Sequence, residues 1–381
     1  MKAAIVYNTF LDPEGEKRVV GGIETYLYHL ARLCSKKHIA PTIWQAGTKD
    51  FRTTLGDVTI VGVAIPPGKK LRASLVQSAI RSLDLKRDLV IFGADRLATP
   101  IETERCVSIQ HGISFDLPIC YHDSYRTRGR LNRAVGDRFY QVIRRYRALR
   151  DYLQCPNRVC VDYNFLNWYR TFLHAASSGR DWVIPNFTRL APQGAVAGRA
   201  KSQSPLRILF ARRFYEYRGT RIMALAVKGI HQKHPDVQFT FAGGGPDEGW
   251  LNDFFQGDPR VQITRYHHDE VIDVHLRHDI AVVPSLGSEG TSLSVAEAMG
   301  CGCAVVATVV GGITNMILDG YNGLLCMPQA DQLQERIEEL IDDEQRRLRI
   351  AAKGYETARE AFSLERWEEA WSRVIDEVIG K

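Results

Sequence analysis

The chain has 381 residues, of which 45% are hydrophobic and 25% charged. That composition excludes collagen-like and wholly disordered chains, and the length suits two domains of roughly 150 residues each. The formal net charge of +6 is unevenly placed, with 30 Lys and Arg against 17 Asp and Glu in residues 1–200, and 20 against 27 in residues 201–381.

In chain order, the opening MKAAIVYN enters a strand pattern directly. It lacks the apolar core and small-residue cleavage site of a signal peptide, so a cytoplasmic chain is expected. Further short β-branched runs fall at 40–45, 58–63, 89–92, 107–110 and 159–161, with amphipathic helical patterns between them. From Arg126 to Arg150 nine arginines face one acid, Asp137, and are interleaved with Leu131, Phe139, Tyr140, Val142 and Tyr146. Such a stretch can lie on an anionic membrane surface, each cation adding about 1 kcal/mol. A solvated helix face paired with acids elsewhere is the other reading. Nucleic-acid binding is disfavoured, because no nucleic-acid module accompanies the charge.

Residues 191–205, APQGAVAGRAKSQSP, are small and polar and read as a linker. A second series of runs comes next at 204–211, 237–242, 261–264, 280–283, 304–307 and 324–327, alternating with helical patterns at 220–231, 270–276 and 332–341. Buried runs alternating with helices argue for parallel sheets built from βαβ units. The expected fold class is therefore α/β, with two doubly wound parallel-sheet domains facing across a cleft and ligand crevices beyond the carboxyl ends of the strands. No apolar run approaches the ~20 residues that span a bilayer. The eight cysteines are scattered and include no CxxC pair, which fits small buried hydrophobes in a reducing compartment better than a disulfide framework. Four histidines, His267, His268, His275 and His278, crowd into YHHDEVIDVHLRHD. A zinc site would need convergent ligands, and a hydrated helix surface is the preferred expectation.

The segment SEGTSLSVAEAMGCG carries the most chemistry. Pro284 and Ser285 close a strand, Glu289 sits in the next loop, and 291–299 reads as a helix. Unpaired amides at that helix start, around Thr291 to Leu293, form an anion site. Glu289 and Glu297 are eight residues apart, a rise of about 12 Å along a helix. One carboxylate can then meet a sugar and the other a ribose, with a diphosphate between them.

This segment resembles the E-x7-E signature of glycosyltransferase family 4, retaining enzymes with the GT-B fold of two Rossmann-like domains. Other stretches are similar to family motifs: GGIETYLYHLARL from Gly21, IQHG ending at Gly112, VIPNF ending at Phe187, ARRFYEYRG ending at Gly219, FAGGGP ending at Pro246 and DGYNGLL ending at Leu325. The resemblance implies an acceptor-side domain over 1–190 and a linker over 191–205. A nucleotide-sugar domain over 206–360 would come next, and then a helix over 361–381 that crosses back to the first domain.

By the same resemblance, Arg213 and Arg218 fall on the cation pair that binds the donor diphosphate, with Arg212 in place of a glycine. Gly21 and Gly22 fit a loop whose backbone approaches the donor, although an ordinary turn would use the same pair. His111 is implied to lie over the transferred sugar, and a structural histidine is the alternative. Gly290, Thr291, Ser292 and Leu293 would line the sugar and diphosphate, with Thr291 and Ser292 replacing the common Phe-Gly. Gly243 to Gly245 would turn the chain near the nucleotide, or serve a purely structural turn. Tyr266 would lie near the base.

The resemblance thus implies transfer of a hexose from a nucleoside-diphosphate sugar with retention of configuration. The expected catalytic set is Glu289, His111, Arg213 and Arg218; Glu297 would bind the ribose. No Asp-x-Asp occurs, and no metal or cofactor is expected, the donor being a substrate. The chain resembles bacterial O-antigen and other surface-polysaccharide enzymes most. That favours mannose or rhamnose from a GDP-sugar over a UDP-hexose, a lipid-linked saccharide acceptor, and a peripheral position on the inner face of the cytoplasmic membrane. A GT-B nucleotide-sugar epimerase and a non-catalytic nucleotide-sugar or nucleic-acid binding protein are the alternatives.

Overall fold

The computed structural model describes the chain except residues 20, 66–69, 114–129, 174–177, 199–204, 288 and 381, and only the backbone of 130–140, 173, 198 and 268. Arg126 and Arg128 of the basic stretch, and 199–204 of the expected linker, therefore lie outside the described residues. The chain divides into two compact units.

The first unit contains Met1–His111, Arg138–Ile184 and the chain from Trp367 onward. Its elements are β1 (Lys2–Val6), α1 (Gly22–Lys36), β2 (Ala40–Gly47), β3 (Phe51–Leu55), β4 (Val58–Ala64), α2 (Leu71–Ile80), β5 (Leu89–Phe92), β6 (Cys106–Gln110), α3 (Arg130–Tyr152), β7 (Asn157–Cys160), α4 (Tyr163–Leu173) and β8 (Arg180–Val183). The sheet order is β3-β4-β2-β1-β5-β6-β7-β8, parallel throughout except for the antiparallel β3–β4 edge. The central strands β1 and β5 are apolar on both faces and buried from Ala3 to Val6 and from Leu89 to Phe92, as strands covered on both sides must be. Neither β3 (FRTTL) nor β8 (RDWV) was expected from the sequence. Both are short and carry polar residues, and their pairing with a neighbour makes up for a weak intrinsic signal.

The second unit contains Pro185–Arg366 and the stretch 112–137, which includes the start of α3. Here lie α5 (Gln193–Gly198), β9 (Arg207–Ala211), α6 (Thr220–Lys233), β10 (Gln238–Ala242), α7 (Glu248–Phe255), β11 (Val261–Thr264), α8 (Val271–Leu276), β12 (Ile280–Val283), α9 (Leu293–Gly300), β13 (Ala304–Thr308), β14 (Leu324–Cys326), α10 (Ala330–Asp342) and α11 (Glu344–Ala361). All its strand pairs are parallel, in the order β11-β10-β9-β12-β13-β14. The order reverses between β9 and β12, so the loops leaving these two strands part to opposite sides and open a crevice at their carboxyl ends. Phe210, Phe214, Phe239 and Phe241 fill the core on one face of this sheet; Val295, Met299 and Ile313 pack on the other.

Two expectations need correcting. The stretch read as a linker is in part the helix α5, and it is tied down: the Ala191 amide donates to Gly300 O at 2.9 Å and the Tyr355 hydroxyl to Ala191 O at 2.9 Å. Nor do His275 and His278 face water; they are 1% and 7% exposed. Their Nδ1 atoms meet the Val271 and Val274 carbonyls at 2.8 and 2.7 Å, and His278 Nε2 meets Thr240 Oγ1 at 2.8 Å. The Val271 and Val274 carbonyls belong to α8 itself, and His278 links that helix to β10 through Thr240.

The final helix, α12 (Leu364–Ile379), belongs to the first unit from Trp367 on. Trp371 is fully buried there and donates from Nε1 to the Tyr26 hydroxyl at 2.6 Å, while Trp367 meets the same ring edge-on at 4.9 Å. Two ion pairs, Lys36–Glu368 at 2.6 Å and Lys37–Asp376 at 2.9 Å, lie alongside. Truncating a buried aromatic of this kind costs about 3–5 kcal/mol. Trp371→Ala is therefore expected to lower the denaturation midpoint of the first unit, monitored by tryptophan fluorescence in urea, with Trp371→Phe losing markedly less.

Candidate functional site

Where β9 ends, the chain turns through Arg212 and Arg213, and where β12 ends it turns through Pro284 and Ser285. Both turns lie at the reversal of strand order. Arg212 is buried there, its side chain 5% exposed. It donates from Nη2 to Glu289 Oε1 at 2.5 Å and from Nη1 to Ser285 Oγ at 2.5 Å. The Ser285 hydroxyl in turn donates to Glu289 Oε1 at 2.6 Å, and Arg218 Nη1 donates to the same oxygen. Burial by itself would raise the Glu289 carboxyl; the charges of Arg212 and Arg218 outweigh it and hold the carboxyl below its usual range. Burial works against the Arg218 cation, but Glu289 and Tyr217 hold its guanidinium above the usual range. Arg212 is lowered by its own burial, with Glu289 opposing.

The loops around this cluster are glycine-dependent. Gly219 has φ +86°, and a Cβ there would lie 1.9 Å from Pro284 O. Gly311 has φ +51°, and its Cβ would meet Glu289 O at 2.2 Å. A side chain at either position would push the β9 or β13 loop off the β12 loop. Phe214 donates its amide to Gly244 O at 2.9 Å, so the Gly243–Gly245 run braces the Arg212 turn.

Of the cation pair expected at the diphosphate, only Arg218 joins this cluster. Arg213 is exposed, with its guanidinium 5.7 Å from the Tyr215 ring centroid. Arg212, which the motif reading treated as a replaced glycine, is the one that points inward. Adjacent residues leaving a strand face opposite ways, and the motif alone does not say which.

Helix α9 starts at Leu293, two residues later than expected, because Thr291 and Ser292 remain in the turn and Ser292 is its extended N-cap. Gly290 and Thr291 belong to the same turn, which Asn186 of the VIPNF stretch holds by donating Nδ2 to Thr291 O at 2.8 Å. Ser292 is buried, and its hydroxyl has no hydrogen-bond partner among the described residues. Four residues into α9, Glu297 is pushed by burial up to about 7, with Arg212 opposing. Tyr266, half-buried after β11, is raised by burial and by the Glu297 charge, again opposed by Arg212. Arg212 thus lies within electrostatic reach of both glutamates and of Tyr266. Neither Arg212 nor Ser285 stood among the expected site residues, although a charged residue directly after an apolar strand such as RILFA was a usable signal.

In the first unit, Gly21 is the extended N-cap of α1 and Gly22 its first residue. His111 comes directly after β6; its Nε2 lies 2.9 Å from Gly93 O, and its ring meets Tyr26 edge-on at 5.4 Å. Burial pushes the imidazole down to about 4. It is therefore neutral near pH 7, and because a carbonyl only accepts, Nε2 carries the proton and Nδ1 keeps a lone pair. Other titratable groups gather at the carboxyl ends of this sheet without any motif to mark them. Tyr7, after β1, is raised by burial and Glu24 to about 12, and Asp95, after β5, by burial and Asp151 to about 7. On α3, Val142 and Tyr146 are 61% and 65% exposed beside Arg147, while Arg150 pairs with Asp151 at 2.9 Å. Among the described residues no helix is long and apolar enough to cross a membrane.

Residues 205–343 match the family model of glycosyl transferases group 1. An uncharacterised glycosyltransferase of Methanocaldococcus jannaschii is 32% identical over 174 residues, covering 45% of this chain and 48% of that protein. The chain spans about half or less of the length of the curated relatives that it matches first. Among solved structures, sucrose-phosphate synthase from Thermosynechococcus elongatus is similar with a TM-score of 0.74 at 16% identity, covering 100% of this chain and 99% of that one. Anabaena HepE in complex with UDP-glucose is similar with a TM-score of 0.69 at 16% identity, covering 99% and 100%. The fold is GT-B, and the match to the glycosyl transferases group 1 model lies in the second unit, over residues 205–343.

Because Glu297 has a folded pKa of about 7, above its value in the unfolded chain, folding favours its protonated form. Its contribution to stability is present below the unfolded carboxyl pKa and lost as the pH rises through about 7. Glu297→Gln keeps the neutral shape, so the variant's melting temperature should rise relative to the wild type between about pH 5 and pH 8. A constant difference across that range would show that the carboxyl is ionised throughout.

Proposed function

We propose that the protein is a retaining glycosyltransferase of family 4 that moves a hexose from a nucleoside-diphosphate sugar to a lipid-linked saccharide. The observation that carries this reading is the buried cluster of Arg212, Arg218, Ser285 and Glu289 at the crevice of the second unit, next to the start of α9. The family model over residues 205–343 and the UDP-glucose complex of a protein with the same fold support a nucleotide-sugar donor.

As the glycosidic bond opens, negative charge collects on the departing diphosphate. Arg218 and the amides at Ser292 and Leu293 supply fixed positive charge and dipoles for it. Arg213, at the mouth of the same turn, adds a second cation within reach of an outer phosphate. Glu289 accepts hydroxyl hydrogens from the sugar, and Glu297 accepts from the ribose. Tyr266 lies beside the base. In the first unit, neutral His111 uses its Nδ1 lone pair for a sugar hydroxyl, and Gly21 and Gly22 leave the start of α1 open to close approach. The acceptor is a saccharide on a lipid carrier in the assembly of O-antigen or another surface polysaccharide. The arginines and exposed apolar residues of α3 hold the enzyme to an anionic inner membrane surface. The donor sugar is mannose or rhamnose on GDP in preference to a UDP-hexose.

A thermal-shift panel of UDP, GDP, ADP and their hexoses in EDTA tests the donor assignment. One nucleotide series is expected to stabilise the protein selectively, by about 2.7 kcal/mol at a hundred times its Kd. Arg218→Ala and Glu297→Ala are expected to lower turnover by about two to three orders of magnitude while keeping the unliganded melting temperature within a few degrees. No stabilisation by any nucleotide would overturn the reading.

A further inference from the structure

The diphosphate assignment leaves Arg218 with two demands. In the structure it donates to Glu289, yet as the more exposed of the two guanidiniums on that carboxylate, 21% against 5% for Arg212, it is also the one a ligand reaches. A buried carboxylate stripped of its cation is strongly unfavourable. A carboxylate sharing its one cation with a phosphate would also repel that phosphate. Either way, Arg218 cannot turn to an incoming anion unless Glu289 keeps another counter-ion.

Arg212 meets that requirement. Arg212, Ser285 and Glu289 close a ring of three hydrogen bonds at 2.5, 2.5 and 2.6 Å that does not involve Arg218. The ring is held from outside: the Thr308 hydroxyl donates to Ser285 O at 2.6 Å, the Gly312 amide to Glu289 O at 2.9 Å, and the Arg212 amide to Ala242 O at 2.9 Å. The donor directions are consistent, since Arg212 donates to the serine oxygen and the serine proton goes to the carboxylate. Remove Arg218 and Glu289 Oε1 keeps two of its three hydrogen bonds and a full positive charge; remove Arg212 and it keeps Arg218 alone to balance it.

We propose that Arg212 is a positioning residue, the standing counter-ion of Glu289, so that Arg218 is released to the diphosphate of the donor without leaving a buried carboxylate unpaired. This role rests on the nucleotide-sugar donor proposed for the same site. The charged and titratable groups facing the pair are Arg218 and Tyr217 from the turn before α6, Glu297 from α9 and Tyr266 from the loop after β11. The acid that Arg212 hydrogen-bonds is Glu289, at 2.5 Å, while Glu297 feels its charge from α9.

A double-mutant cycle on inorganic pyrophosphate binding, by calorimetry on the full chain, tests the claim. Arg212→Met, which keeps the volume and removes the charge, should weaken pyrophosphate at least about tenfold, and Arg212→Lys should recover part of the loss. In a Glu289→Gln background, where no carboxylate competes for Arg218, the same Arg212→Met change should cost less than about twofold. An equal loss in both backgrounds would mean that Arg212 touches the phosphate itself or merely holds the loop, and would overturn the proposal, as would no loss in either.

A ligand-free readout separates this claim from the donor reading. The Glu289 carboxyl, observed by carbon-13 NMR and assigned with Glu289→Gln, should titrate higher in Arg212→Met than in the wild type. An unchanged titration overturns the role of Arg212 even if pyrophosphate binds. A raised titration with no pyrophosphate binding to the wild type overturns the donor reading, and the release of Arg218 with it, while the Arg212–Glu289 pairing stands.

Discussion

A carboxylate taken out of water has to be met by positive charge, and the second unit is arranged around that requirement at Glu289. Its Oε1 accepts from Arg212, Arg218 and the Ser285 hydroxyl, and the three donors come from loops after β9 and β12, the strands between which the sheet reverses its order. The close approach of these loops in turn requires backbone without side chains. Gly219 lies against Pro284 and Gly311 against Glu289, where any Cβ would overlap a carbonyl. One electrostatic demand therefore dictates which residues are charged, which are glycine and where the strands must end.

The same cluster sets the ionisation of its surroundings. Arg212 opposes the rise of both Glu297 and Tyr266, so one buried cation affects three groups that are far apart in the sequence. With Arg218 it holds the Glu289 carboxyl below the usual range, while burial pushes Glu297 up to about 7. Two glutamates eight residues apart are thereby shifted in opposite directions through environment alone, as different partners and burial predict. In the first unit, His111 is made neutral by burial and its tautomer set by one carbonyl. An imidazole so fixed is a hydrogen-bond acceptor at Nδ1 rather than a cation.

Other parts of the chain answer to packing more than to charge. Trp367 and Trp371 place the last helix on Tyr26, and the same Tyr26 meets the His111 ring edge-on. The residues that anchor the C-terminal helix and the histidine at the end of β6 thus share one aromatic neighbour. His278 serves a comparable end in the second unit, where its two ring nitrogens join the Val274 carbonyl of α8 to Thr240 of β10.

The α/β class and the alternation of strands and helices were legible in the sequence, because a strand buried on both faces must be apolar throughout, as AAIV, LVIF and IAVV are. The E-x7-E segment was legible for the same local reason: a strand end, a loop acid and a helix start are neighbours in the chain. The edge strands β3 and β8 were not legible, since Thr53, Thr54, Arg180 and Asp181 carry no apolar alternation and pair only because a neighbouring strand offers its backbone. Nor was the choice between Arg212 and Arg213. Both are arginines one residue apart, and which one turns inward depends on where β9 ends relative to Ser285 and Glu289, 73 and 77 positions away. Local pattern determined which chemistry the chain carries; only the tertiary fold, by bringing distant loops within hydrogen-bonding distance of one carboxylate, decided which residues perform it.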